Sequence, residues 1–156
     1  MKQTVQIHII AVGRLNPGME KNLFLHYKNR IRWPLEVREF DERKLPTKKR
    51  REHLGNLLLS AVPYGANVVV LDQRGKNLTS KDLARHIGKL RDEGNPKIAF
   101  LIGGADGLSD SVRDHASILL AFGRTTWPHL MIRGMLTEQL YRVQQILSGH
   151  PYHRDR

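Results

Sequence analysis

The chain has 156 residues, with 26 Lys and Arg against 15 Asp and Glu, and no cysteine. That length suits a single domain, 1–156, with a core of its own, and the missing thiol excludes disulfides, thiolate metal sites and a cysteine nucleophile. The formal charge of +11 points to a polyanionic partner, nucleic acid before an anionic membrane; no apolar run approaches the ~20 residues that span a bilayer, and no cleavable signal pattern opens the chain, so a cytoplasmic protein is expected.

Residues 5–12 (VQIHIIAV) read as a first strand closed by Gly13. After the Asn16-Pro17-Gly18 turn, a helix is expected over 19–31, with Leu23, Tyr27 and Ile31 on its apolar face. Trp33-Pro34 ends it, because the residue before proline disfavours the helical region. Leu35 and Val37 alternate with charges, as a half-exposed strand does. The stretch 43–51 (RKLPTKKRR) carries six cations and no acid. It reads either as a phosphate-contacting arm or as the solvated start of a helix capped by Thr47, running to Ala61 and burying Leu54, Leu57, Leu58 and Ala61.

Residues 67–72 (NVVVLD) are a buried-strand pattern. Asp72 at the strand end either contacts a ribose hydroxyl or caps the turn through Gly75. Thr79-Ser80-Lys81-Asp82 resembles a capping box and opens a helix to Asp92, stopped by Gly94 and Pro96. The apolar run 99–102 (AFLI) suits a strand buried on both faces, as in a parallel sheet. Gly103, Gly104 and Gly107 follow at once, with Ser109 as a helix N-cap. That turn serves equally as a structural corner or as a cradle for a nucleotide-like ligand. Residues 117–122 form a fifth short strand, 123–128 a loop, and 129–147 a final helix with Ile132, Leu136, Leu140, Val143 and Leu147 on its apolar stripe. Strands alternating with helices predict a mostly parallel α/β sheet covered on both faces.

Local motifs exclude several chemistries. The segment 103–107 (GGADG) is not G-x-G-x-x-G, no Walker-type phosphate loop is present, and no G-x-S-x-G elbow supports a serine hydrolase. His150-Pro151-Tyr152-His153 looks metal-like, but with neither cysteine nor a dense carboxylate cluster no metal is expected. Glu138 and Arg142 sit four residues apart on the last helix, as an ordinary ion pair or facing a ligand pocket. The residues alone therefore give a basic α/β protein with one plausible adenosyl-type pocket.

Four segments together are more specific: 101–109 (LIGGADGLS), Thr126-Trp127-Pro128-His129, 137–142 (TEQLYR) and 150–154 (HPYHR). In this order they closely resemble the bacterial large-subunit rRNA pseudouridine N3-methyltransferase family, of the SPOUT (α/β-knot) superfamily. Val12-Gly13, Leu71-Asp72 and Gly75-Lys76 also fit, so the resemblance covers essentially the whole chain.

The resemblance implies a deep trefoil knot near the C-terminus and a homodimer that binds S-adenosylmethionine in a bent conformation. By position, the cofactor loops match Leu71, Gly103, Gly104 and the segment Phe122, Gly123, Arg124, Thr125, Thr126, Trp127 and Pro128. The family's C-terminal tail lies beside the cofactor and substrate, which here matches Tyr152, His153 and Arg154, with His129 and Arg142 nearby. The implied reaction methylates N3 of a pseudouridine in 23S rRNA, on the ribosome. His153 or His129 would accept the N3 proton, and Arg154 or Arg142 would stabilise the ring anion.

Overall fold

The computed structural model describes residues 3–154. Five parallel strands form one sheet: β1 (Gln6–Val12), β2 (Leu35–Phe40), β3 (Asn67–Lys76), β4 (Lys97–Ile102) and β5 (Ile118–Leu120), in the order β2-β1-β4-β3-β5. The helices are α1 (Met19–Lys28), α2 (Arg50–Ser60), α3 (Ser80–Asp92), the short α4 (Asp110–Asp114) and α5 (His129–Leu147).

Side chains alternate across the pleat and split the core in two. On one face Ile7, Ile9 and Phe100 pack with Phe24 of α1, Leu83 and Ile87 of α3, and Leu136, Leu140 and Val143 of α5. On the other, Ile10, Val12, Ala99 and Leu101 meet Leu54 and Leu58 of α2, Leu108 and Val112. The apolar run of β4 is buried on both faces as its sequence requires, and the expected parallel α/β sheet is the observed one. β2, at the edge, keeps alternate side chains in water.

The element boundaries moved where local chemistry overrode the pattern. α1 stops at Lys28, and Phe24 is its buried residue. Leu23 is 39% exposed, yet it lies over α5, where a Cβ on Gly134 would come within 2.7 Å of it. Thr47 does not cap α2; the chain enters that helix through Lys49, held in the left-handed region at φ 58°. With the helix begun at Arg50, Gly55 faces inward against Ser109 and Leu57 turns out to solvent. β3 runs on to Lys76, with a register shift against β5 between Leu71 and Lys76. The Thr79 cap is as expected, its hydroxyl accepting from the Asp82 amide at 3.0 Å. β5 is only three residues long.

Arg133 is the largest fully buried side chain. It pairs with Glu39 of β2 and donates to the carbonyls of Gly13 (3.0 Å) and Val12 (3.3 Å). Burial lowers its pKa, and the Glu39 carboxylate opposes that. Glu39 in turn accepts from the Leu15 amide at 2.9 Å. This network fixes the second turn of α5 to the carboxyl ends of β1 and β2.

Candidate cofactor cavity and carboxyl-terminal cluster

Parallel strands deliver all their carboxyl ends to one edge of the sheet, and there the chain forms an open cavity of about 850 Å³. That is ample for a cofactor-sized molecule. Its walls come from three segments: the end of β3 (Leu71, Asp72, Gln73, Arg74), the glycine turn after β4 (residues 102–108), and the loop after β5 (Leu120 to Gly123, then Thr125 to His129). Arg51, Arg113 and Ile132 complete it. Nine of the ten residues expected around the cofactor line this space. Arg124 does not; it is exposed, and the loop turns it outward from the lining.

The loop after β5 is tied at three points. The Trp127 indole donates to the Phe122 carbonyl (2.8 Å), the Gly123 amide donates to Asn77 Oδ1 (2.9 Å), and the Thr126 hydroxyl bonds Gln73 Oε1 (2.7 Å). Gln73 and Asn77 were missed from sequence, because a lone amide on a strand end carries no pattern. Gly104 has no room for a side chain: a Cβ there would lie 2.6 Å from Glu42 Oε2 and 2.7 Å from Val12 Cγ1. Arg113 links two walls, donating to the Leu108 carbonyl at 2.7 Å while lying 3.6 Å from Asp72. Asp72 also accepts from the Arg74 amide at 2.8 Å. It therefore caps the irregular stretch within β3, through Arg74 rather than Gly75.

The five residues expected to carry the chemistry divide into two places. His129 lines the cavity at the start of α5, packed so that a Cβ on Gly13 would lie 3.3 Å from its Nε2. Arg142 lies thirteen residues further along the same helix, about 20 Å away at 1.5 Å per residue, so within one chain it is not near His129. There Arg142 holds Glu138 through two bonds of 3.0 and 2.6 Å and meets His153 Nδ1 at 3.2 Å. Its guanidinium lies 4.8 Å from the centre of the Tyr152 ring, and the Tyr152 hydroxyl donates to Glu138 at 3.2 Å. Tyr141 packs edge-on against Tyr152 at 4.7 Å.

These contacts set the charges. Burial works against the Arg142 charge, but Glu138 more than offsets it and raises the pKa. Burial first, then the Glu138 charge and Tyr27, push the Tyr152 phenol up to about 12. Tyr152 is thus a hydrogen-bond donor at neutral pH. The tail through Arg154 is folded back onto α5, and Arg154 is exposed. Among the described residues no group of three or more His, Asp or Glu is placed to hold a metal, and none of their helices is long and apolar enough to cross a membrane.

A model of the predicted SPOUT methyltransferase family matches residues 5–153. The chain belongs to the SPOUT methyltransferase family. It is 51% identical over 151 residues to a ribosomal RNA large subunit methyltransferase H of Rhodospirillum centenum, covering 96% of this chain and 99% of that one. It is 46% identical over 153 residues to the protein of the same name in Paramagnetospirillum magneticum, again covering 96% and 99%. The SpoU methyltransferase AviRb of Streptomyces viridochromogenes, solved in complex with the cofactor AdoMet, shares the fold at 11% identity and a TM-score of 0.52, over 94% of this chain and 63% of that one. The family read from the four motifs is thus borne out.

Proposed function

We propose that this SPOUT chain transfers a methyl group from S-adenosylmethionine to N3 of a pseudouridine in large-subunit rRNA. It acts in the cytoplasm as a homodimer of single-domain subunits, each knotted near the C-terminus, with the ribosome as substrate. The observation that carries the reading is the cavity: the segments expected from the family's cofactor loops converge on one space, in a chain half identical to large-subunit rRNA methyltransferases over nearly its full length.

The residues present fit such a cofactor. Leu71, Ile102, Phe122, Trp127 and Ile132 offer apolar surface to a flat heteroaromatic ring, and the backbone of 103–107 and 121–127 offers amides and carbonyls. When bound, S-adenosylmethionine supplies an electrophilic methyl on its sulfonium. The chain must orient the uracil ring and take its N3 proton. His129 stands at the cavity wall for that, and His153, beside Arg142, is the other acceptor. Arg142 or Arg154 would steady the ring anion, with Tyr152 orienting it through its hydroxyl. The ~20 Å between His129 and Arg142 along α5 supports a site completed by the tail of a second subunit.

Methyl transfer from labelled cofactor to ribosomes, large subunits, free rRNA and tRNA tests the reading. Label is expected in the large-subunit RNA, mapped to N3 of a pseudouridine; label in tRNA alone overturns it. Wild-type rates in both His153→Ala and His129→Ala would remove the two histidines as proton acceptors.

A further inference from the structure

The two edges of the sheet differ in charge. At the amino edge, the connections 29–34, 61–66, 93–96 and 115–117 contain two cations, Arg30 and Arg32. The carboxyl edge, which holds the cavity, carries Arg14, Lys44, Lys48, Lys49, Arg51 and Arg124, all exposed. Four of these six lie in one stretch, 44–51. Two other cations of that stretch and its flank are engaged: Arg43 with Asp41 at 3.1 Å, and Arg50 with the Leu45 carbonyl at 2.8 Å. Lys44, Lys48, Lys49 and Arg51 form no ion pair among the described residues, whereas Arg85, Lys89 and Arg91 of α3, Arg113 of α4 and Arg142 of α5 do.

The stretch meets the cavity wall on both sides. Glu42, two residues before it, lies against Gly104, and Arg51 at its end is part of the lining. Behind it, Leu54 and Leu58 anchor α2 against Leu108 and Val112 in the second core. The cations are therefore held at the rim of the cavity on a fixed base, which lowers the entropy lost when they engage a ligand.

We infer that residues 44–51 are the rim on which the substrate RNA lies, with Lys44, Lys48, Lys49 and Arg51 holding phosphates that flank the nucleotide entering the cavity. This rests on the proposed rRNA substrate. Phosphate contacts set register without reading sequence, so the rim positions the strand and the cavity selects the base.

The test is a triple variant, Lys44→Gln/Lys48→Gln/Lys49→Gln, against a control at the opposite edge, Arg30→Gln/Arg32→Gln. Binding of a large-subunit rRNA hairpin and of whole large subunits is measured across salt concentrations, with S-adenosylmethionine affinity measured in parallel. The triple variant is expected to bind RNA at least about tenfold more weakly, with a salt slope shallower by about 2, as loss of three phosphate contacts implies. Cofactor affinity and melting temperature should match the wild type, and the control should match it throughout. An unchanged slope and affinity in the triple variant overturns the inference while leaving the proposed methylation standing, as does an equal loss in the control. Loss of binding to anionic lipid vesicles with RNA binding untouched assigns the rim to a membrane surface and also overturns it. A wild-type protein that neither binds nor methylates rRNA brings down the function reading itself.

Discussion

The two ends of α5 present two unlike pieces of chemistry. At its start, the cavity is shaped by backbone: glycine turns, strand ends and a loop held by the Trp127, Gly123 and Thr126 bonds. At its other end, Glu138, Arg142, Tyr152 and His153 form a cluster made wholly of side chains. The first has space, with Asp72 paired to Arg113 in its wall; the second gathers charge and hydrogen-bond donors around Glu138. One helix holds them apart. A second copy of the chain is the simplest way to bring them together.

The sharpest way to break the cavity half is Gly104→Val. Its side chain would drive Val12 and Glu42 aside and shift the turn, and displacements near 1 Å cost on the order of 100-fold in rate; cofactor titration should show the loss with the cluster intact. Mixing that variant with Arg142→Ala asks whether the halves are shared. Mixed dimers then hold one site with both halves sound, so activity returns on mixing two nearly inactive proteins; no recovery in confirmed mixed dimers rejects the shared site.

Arg113→Met is a milder cut. It removes the link from Asp72 to Leu108 and should raise the cofactor KM about tenfold, near the 1.4 kcal/mol of one hydrogen bond to a charged group, while kcat changes little. Tyr152→Phe probes the cluster alone. A raised phenol pKa means that the folded state holds this proton more tightly, so the Tyr152 contribution to stability is full below pH 10 and is lost as pH rises towards about 12. Ultraviolet titration of the variant should lack the phenolate step near pH 12. The smallest effect belongs to His86, whose Nε2 is buried without a partner. Burial, then Lys89, holds its pKa below the usual value, so the unfolded chain protonates first and stability falls as pH drops below about 6.5. His86→Gln should flatten that decline in thermal melts at pH 7 and pH 5.

Much of this was legible in the residues. The apolar run of β4, the capping box at Thr79 and the stripe on α5 each state a local preference that the fold keeps, and the cavity follows from motifs placed on strand ends. Other features depend on distant partners. Periodicity put Leu23 on the buried face of α1 and gave no sign of Arg133. The fold buries Phe24 and leaves Leu23 half-exposed over the bare Cα of Gly134, while Glu39 and two carbonyls give the buried Arg133 a polar socket. The tail is similar: nothing in HPYHR says that Tyr152 and His153 return to Arg142, a contact only the folded α5 provides.

The strand order also has a consequence in time. β1 is the first strand made, yet one of its two flanks pairs with β4, beginning with Gln6 against Lys97. Until some hundred residues have left the ribosome, that flank has only temporary company, and an open strand edge invites the wrong neighbour. Distant pairings of this kind also slow folding. Synthesis of this protein should therefore show a late, single step of protection from proteolysis, when β4 slides between β1 and β3 and the carboxyl edge closes for the first time.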